Sequence, residues 1–362
     1  MMNRDEIYAI SPCLREGPFA QAGLNMVETA MKMDDSNYSG VLKTWATHYL
    51  FVSAEAVFKG DTNPTQAILA ALDQMTDLFA AANRLDTSYL GATNAFHEEL
   101  ETIEAKEAET GDHYGNLFKA FDDEHYFNEA TDLLRTRLSR NEINLDQVHT
   151  WDVLDAGCGG GRYSAAWAKL GARSVTGVDF SEIGIQTARE RTASRFSKIK
   201  FEVGDVLAIP FPDNSFDCSF SNGVLHHTRD WKKGIHEMVR VLKPGGFGWL
   251  YLIENPGGCF WDIIEILRVL MGPIDKSLAR AGLRILGVPT NRIFYILDHI
   301  MVPINIRLTE QEIEACLAES GAKNIRKLRR GADFDRVEQL YRKVPYAEMK
   351  YGVGEQRYVF SK

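Results

Sequence analysis

The chain has 362 residues, 45% of them hydrophobic and 25% charged, with a formal net charge of −9. That balance is globular and excludes disordered, collagenous and coiled-coil chains. The acidic excess leaves no electrostatic footprint for a nucleic-acid backbone, and it is concentrated early: residues 1–112 hold 7 Lys/Arg against 18 Asp/Glu.

Five cysteines (Cys13, Cys158, Cys218, Cys259, Cys316) form no CxxC and no close pair. They are expected as free thiols in a reducing compartment, with no disulfide frame and no metal site. The N-terminus has no secretory apolar core. The longest stretch free of Asp, Glu, Lys and Arg is eleven residues, short of the roughly 18 a membrane-spanning helix needs. A soluble, cytoplasmic protein is the expectation.

In chain order, residues 1 to about 110 read as helices only. Asn63-Pro64 has the form of an N-cap with proline in the first turn. Ile68, Leu72, Met75 and Phe79 then recur with helical spacing on one face. Val41 to Phe58 and Tyr89 to Glu109 are two further helices, and Thr110-Gly111-Asp112 reads as a linker. Phe118 to Leu138 is another amphipathic helix. From Trp151 the texture changes: Val153-Leu154, Val175 to Val178, Lys200 to Val203, Phe216 to Phe220 and Phe247 to Ile253 are short β-rich runs. Helical or loop stretches separate them, the pattern of βαβ units and a parallel sheet.

The first run enters a glycine loop, Asp155-Ala156-Gly157-Cys158-Gly159-Gly160-Gly161, and Arg162 to Leu170 continues as a helix. Glycines let the backbone turn tightly and approach a ligand beside a helix N-terminus. Dinucleotide sites share such loops, so the loop alone does not decide. Val178-Asp179 ends the next strand, where a carboxylate can accept both hydroxyls of a ribose. Gly204-Asp205-Val206 closes a third, where an adenine amino group would find an acceptor. Phe216-Asp217 leads into Ser221-Asn222-Gly223-Val224-Leu225-His226-His227, and Arg240-Val241-Leu242-Lys243-Pro244-Gly245-Gly246 ends a helix before the fifth strand. A nicotinamide fingerprint would normally run GxGxxG/A, whereas here the third glycine follows two residues after the second.

In this order and spacing, DAGCGGG, VD, GD, FD…SNGVLHH and RVLKPGG resemble class I S-adenosylmethionine-dependent methyltransferases. The texture is similar to the ubiquinone/menaquinone-biosynthesis and small-molecule O-methyltransferase subgroup. The resemblance covers about 151–254. A helix at Thr309 to Ser320 and strands at Ala322 to Leu328 and Arg357 to Ser361 extend it as a closing hairpin. It implies an α/β, Rossmann-like seven-stranded sheet in residues 111–362, with a helical domain at 1–110 and a lid insertion at 255–308 after strand five. It implies S-adenosyl-L-methionine as cofactor. Asp155, Ala156 and Gly157 to Gly161 (Cys158 and Gly159 included) would surround its methionine part, and Asp179 its ribose. Phe180, Asp205 and Val206 would meet its adenine, with Asn222 and Gly223 beside the sulfonium.

The acceptor is expected to be a small molecule, methylated at a hydroxyl by in-line displacement. Carbon or sulfur acceptors and a non-catalytic scaffold stand as alternatives. A hydroxyl needs a base, and His226 and His227, directly after the fourth strand, are the candidates. His299 is a weaker one, being a lone histidine among apolar residues. The insertion joins apolar runs (Phe260-Trp261, Ile293 to Leu297) to a slight basic excess, which suits a substrate with acidic and apolar parts. Tyr114, Phe118, Phe121 and Tyr126 are placed to close over the cofactor. The apolar stripes of 1–110 would be buried in a homodimer.

Overall fold

Seven short strands form one sheet in the order β3-β2-β1-β4-β5-β7-β6. They are β1 Asp152–Ala156, β2 Ser174–Asp179, β3 Ile199–Val203, β4 Phe216–Asn222, β5 Leu242–Leu252, β6 Lys323–Lys327 and β7 Gln356–Ser361. β1 to β5 pair in parallel, and β7 inserts antiparallel between β5 and β6. The computed structural model describes residues 2–34, 36–85 and 121–362. Expectations for Tyr89 to Glu109, Thr110 to Asp112, Tyr114 and Phe118 fall outside them.

The central strands are largely apolar because both their faces are covered, whereas the edge strands β3 and β6 keep exposed polar residues such as Lys200, Glu202, Lys323 and Arg326. Leu154, Ala156, Leu250, Leu252 and Tyr358 meet Ile235, Met238 and Val239 of the helix Trp231–Val241, with Ile313 and Leu317 of Glu310–Glu319. On the other face Val153, Val175, Phe220, Trp249 and Val359 meet Leu134, Leu138 and Trp167. β5 starts earlier than the expected Phe247: Leu242 pairs Phe216, Phe247 pairs Cys218, and Lys243–Gly246 bulge out between them. Phe118 to Leu138 is not one α-helix either. A π-helical turn, Glu124–Glu129, precedes the α-helix Ala130–Arg140.

The chain divides into two compact units. The sheet unit spans Glu101–Pro256, Pro303–Arg342 and Val353–Lys362; the helical unit takes Met1–Leu100, Gly257–Val302 and Lys343–Gly352. This departs from the expected division at 110/111. Most of the insertion placed as a lid on the sheet domain packs instead with the N-terminal helices. The reason is its composition: the helix Gly258–Met271 is apolar almost all round and buries eleven residues, so it needs neighbours on every side.

Within the helical unit α1 Arg4–Ile10, α2 Ala20–Ala30 and α3 Asn37–Lys59 pack against this helix, as do the helices Thr290–Ile300 and Ala347–Tyr351, while α4 Pro64–Ala82 packs on α2 and α3. Asn63 caps α4 through the Thr65 amide at 2.9 Å, and Ile68, Leu72, Met75 and Phe79 are its buried stripe. Phe58 packs on Phe260, and Arg292 pairs with Glu55 while lying over the Phe51 ring.

Candidate functional site

The glycine loop follows β1 at its carboxyl end, where open α/β sheets bind ligands. Gly157, Gly159 and Gly161 have φ of 81°, 50° and 83°, a region L-residues pay to enter. At Gly157 a Cβ would lie 2.3 Å from Val224 Cγ1. The loop is therefore pressed against the chain leaving β4, and no other residue fits there.

Asp179 ties the loop down. Its Oδ2 accepts from the Gly159 amide at 2.8 Å and its Oδ1 from the Ser181 amide at 2.9 Å. The Gly157 and Cys158 amides both donate to the Val178 carbonyl at 2.8 and 3.0 Å. Burial raises the Asp179 carboxyl above its usual value despite these donors. Asp155 is 2% exposed and accepts from Ser164 Oγ at 2.6 Å. Burial pushes it up to about 7, with the nearby Asp179 charge contributing. Ala156 and Cys158 are buried, and burial drives the Cys158 thiol well above its usual range.

Past β2, Phe180 is 44% exposed while Val206 is buried. Both Asp205 oxygens already hold donors: Oδ1 takes the Leu207 amide at 2.8 Å and Oδ2 takes Arg229 at 2.9 Å. Asn222 ends β4 with Oδ1 accepting from Trp249 Nε1 at 3.2 Å. Gly223, at φ 82°, faces the Tyr251 ring. The loop, three strand-end carboxylates, Asn222 and Gly223 thus line the carboxyl ends of β1, β2, β3 and β4.

His226 and His227 sit on a buried 3-10 turn, Leu225–His227, with ring centroids 4.1 Å apart. His227 Nδ1 lies 2.7 Å from the Ile304 carbonyl. A carbonyl only accepts, so Nδ1 carries the proton and the neutral ring's lone pair is on Nε2. The extended segment around Ile304 staples the turn to β5. Ile306 donates to the His226 carbonyl at 2.9 Å, Leu308 to Ile253 at 2.9 Å, and Asn255 to Leu308 at 2.8 Å. His299 does not join this pair. It belongs to the helical unit, where its ring packs 4.6 Å from Tyr295 and its Nδ1 lies 2.8 Å from the Tyr295 carbonyl.

Tyr126, one of the aromatics expected to close over the cofactor, donates its hydroxyl to the Gly160 carbonyl and lies under Arg191, 4.4 Å from guanidinium to ring. Ser164, Arg229 and the Ile304 carbonyl carried no sequence signal. In the helical unit Cys13, Asp262 and Glu265 bring a sulfur and two carboxylates within 4.8 Å of one another, a trio no motif announced.

A largely parallel sheet with a left-handed glycine loop and carboxylates at successive strand ends is the layout of class I, S-adenosylmethionine-dependent methyltransferases. Residues 154–250 match the family described as "Methyltransferase domain". The chain is 32% identical over 145 residues to the 27-O-demethylrifamycin SV methyltransferase of Amycolatopsis mediterranei, covering 38% of this chain and 53% of that one. It is 41% identical over 96 residues to the demethylmenaquinone methyltransferase of Staphylococcus aureus, covering 26% and 39%. It therefore spans about half the length of these relatives or less. A 1,6-didemethyltoxoflavin N1-methyltransferase of Burkholderia thailandensis aligns over 74% of this chain and 94% of its own, with 18% identity and a TM-score of 0.41. Among the described residues no helix is long and apolar enough to cross a membrane.

Proposed function

We propose that this chain methylates a small molecule at a hydroxyl, with S-adenosylmethionine as donor and His227 as general base. The observation that carries the choice of base is the bond from His227 Nδ1 to the Ile304 carbonyl. It fixes the tautomer whose Nε2 can take a proton, and it holds the ring at the carboxyl end of β4. Support for an oxygen acceptor comes from the relative whose name specifies a 27-O-demethyl substrate.

The residues present fit the cofactor. Asp155, Ala156, Gly157, Cys158, Gly159 and Gly161 would hold its methionine part, Asp179 its ribose, and Phe180, Asp205 and Val206 its adenine, with Asn222 and Gly223 toward the sulfonium. Bound there, S-adenosylmethionine supplies an electrophilic methyl group. The chain's own share is alignment, exclusion of water and the proton: His227 Nε2 removes it from the acceptor hydroxyl.

The helical unit is assigned to enclosure or assembly. Trp45, Tyr49 and Val52 follow one another along α3 with exposures of 38%, 40% and 42%, a stripe that would suit a homodimer; light scattering tests it.

The central test is S-adenosylhomocysteine release with a small-molecule extract as acceptor source. His227→Ala is expected to cost about 10²–10⁴ in rate with cofactor affinity unchanged, and His226→Ala far less. Near-normal turnover by His227→Ala would refute the base and favour a carbon or sulfur acceptor.

A further inference from the structure

We propose that Glu254, directly after β5, is a recognition group for the methyl acceptor, its Oε2 taking a hydrogen bond from an O–H or N–H that the acceptor presents away from the reacting atom. The inference rests on the methyl-transfer reading above and deepens it.

Glu254 is 0% exposed. Its Oε1 accepts from Arg336 Nε at 2.7 Å, while Oε2 has no hydrogen-bond partner among the described residues. A carboxylate oxygen sealed from water without a donor is costly, and native structures keep such groups where something uses them. The position is consistent with a use. Glu254 lies two residues past β5, whose Tyr251 faces Gly223 and lies 6.1 Å, ring to ring, from His226. It bridges Leu308, and the bond of Asn255 to Leu308 continues the segment that holds the histidine turn. Glu254 is therefore tied, at the carboxyl end of β5, to the same segment as the candidate base.

Charge balance gives the chemical class. Around Glu254 the buried acids and arginines alternate: Arg336 to Glu254 at 2.7 Å, Arg357 to Glu355 at 3.6 Å, Arg357 to Asp335 at 3.1 Å, Arg137 to Asp335 at 2.8 Å. Among the described residues three buried acids face three arginines, and an anionic group brought to the Oε2 carboxylate oxygen would be repelled. The acceptor is thus a molecule whose second polar group is a hydrogen-bond donor, such as a hydroxyl or an N–H. This differs from the acidic substrate suggested by the composition of residues 255–308.

The experiment uses the full-length protein and, as probe, the chromatographic fraction of a small-molecule extract that the wild type methylates. Glu254→Gln places an amide donor where the acceptor's donor must bind. It is expected to raise KM for that fraction at least tenfold, with kcat within threefold and S-adenosylhomocysteine affinity unchanged. The double variant Glu254→Gln/Arg336→Met removes the buried charge imbalance. It is expected to regain thermal stability while KM stays raised. An unchanged KM in Glu254→Gln, or a KM restored in the double variant, overturns the inference and leaves a structural ion pair with a bound water. A wild type that releases no S-adenosylhomocysteine from any fraction overturns the methyl-transfer reading itself, and this inference with it.

Discussion

Replacing Asp179 by alanine tests whether one carboxylate both shapes the glycine loop and binds the ribose. Its two oxygens hold the Gly159 and Ser181 amides at 2.8 and 2.9 Å. Hydrogen bonds to a charged group contribute roughly 1.5–3 kcal/mol each, and an orphaned donor costs about 1–3 kcal/mol. The site is only part-buried, so water recovers some of this. A loss of about 2–4 kcal/mol in unfolding free energy follows, a large share of the roughly 5–15 kcal/mol a domain commands. Cofactor binding loses the ribose acceptor as well, about 1.5–3 kcal/mol, or roughly 10- to 150-fold in Kd. Asp179→Asn keeps one acceptor and turns the other toward an N–H as a donor, so its stability falls between the two. The assays are urea unfolding and calorimetric titration with S-adenosylhomocysteine. Asp179→Ala with wild-type midpoint and wild-type affinity would refute the reasoning at both levels.

Four other outcomes are expected. Asp155 is held up to about 7 by burial, above its ordinary value near 4, so its contribution to stability is full below about pH 4 and lost as pH rises through 7; Asp155→Asn should flatten that decline, and parallel pH–stability curves would contradict it. Gly157→Ala at φ 81°, with its Cβ 2.3 Å from Val224, should cost about 2–4 kcal/mol from left-handed strain and displaced packing; a change under about 0.5 kcal/mol speaks against the tight loop. Arg137→Met leaves the buried Asp335 short of one of its two arginines and should cost about 3–5 kcal/mol. Arg357 and Arg137 hold that carboxyl well below the usual range despite burial, so its stabilisation exists above about pH 4 and is lost as pH falls below it, and acid titration of the variant, with Arg357 alone left, should show this limb reduced. Finally, a chain starting at Gly111 lacks α1, α2 and α3, which cover part of the apolar helix Gly258–Met271 within the helical unit; it should aggregate or bind a hydrophobic dye, and a well-folded monomer would show that the helices are dispensable.

What the sequence disclosed was local. β1 to β4 sit within a few residues of their apolar runs, because covered faces demand apolar side chains, on both sides in the central β1 and β4 and at Phe201 in the edge strand β3. The glycine loop was legible because left-handed backbone and close approach demand glycine, and Asp179 because it ends a strand. What stayed hidden is carried by atoms without a motif. The Ile304 carbonyl that fixes the His227 tautomer belongs to a residue chosen for its backbone, not its side chain. Arg229 reaches Asp205 from a distant position, and that distance leaves no spacing to read. The start of β5 was misplaced because the Pro-Gly turn at Lys243–Gly246 is absorbed as a bulge inside the strand pairing.

The helical unit shows the same limit at the level of architecture. Periodicity identified α3, α4 and the apolar runs of 255–308 as amphipathic or apolar helices, but an apolar face does not say which segment covers it. The reading by proximity assigned the insertion to the strand it follows. The compact units group most of it with the N-terminal helices, where the helix Gly258–Met271 buries eleven residues. One consequence bears on function. The chain leaves the sheet unit after Pro256 and re-enters it at Pro303. The re-entering segment bonds His227 through Ile304, His226 through Ile306 and β5 through Leu308. Glu254 and Asn255 are the last residues before the exit but one. The candidate base and the candidate recognition carboxylate are therefore set by backbone hydrogen bonds of the two short stretches that border the excursion. Substitutions in those stretches that preserve every side-chain role, but remove an amide as proline does, should disturb acceptor handling while the glycine loop and its Asp179 ties remain intact.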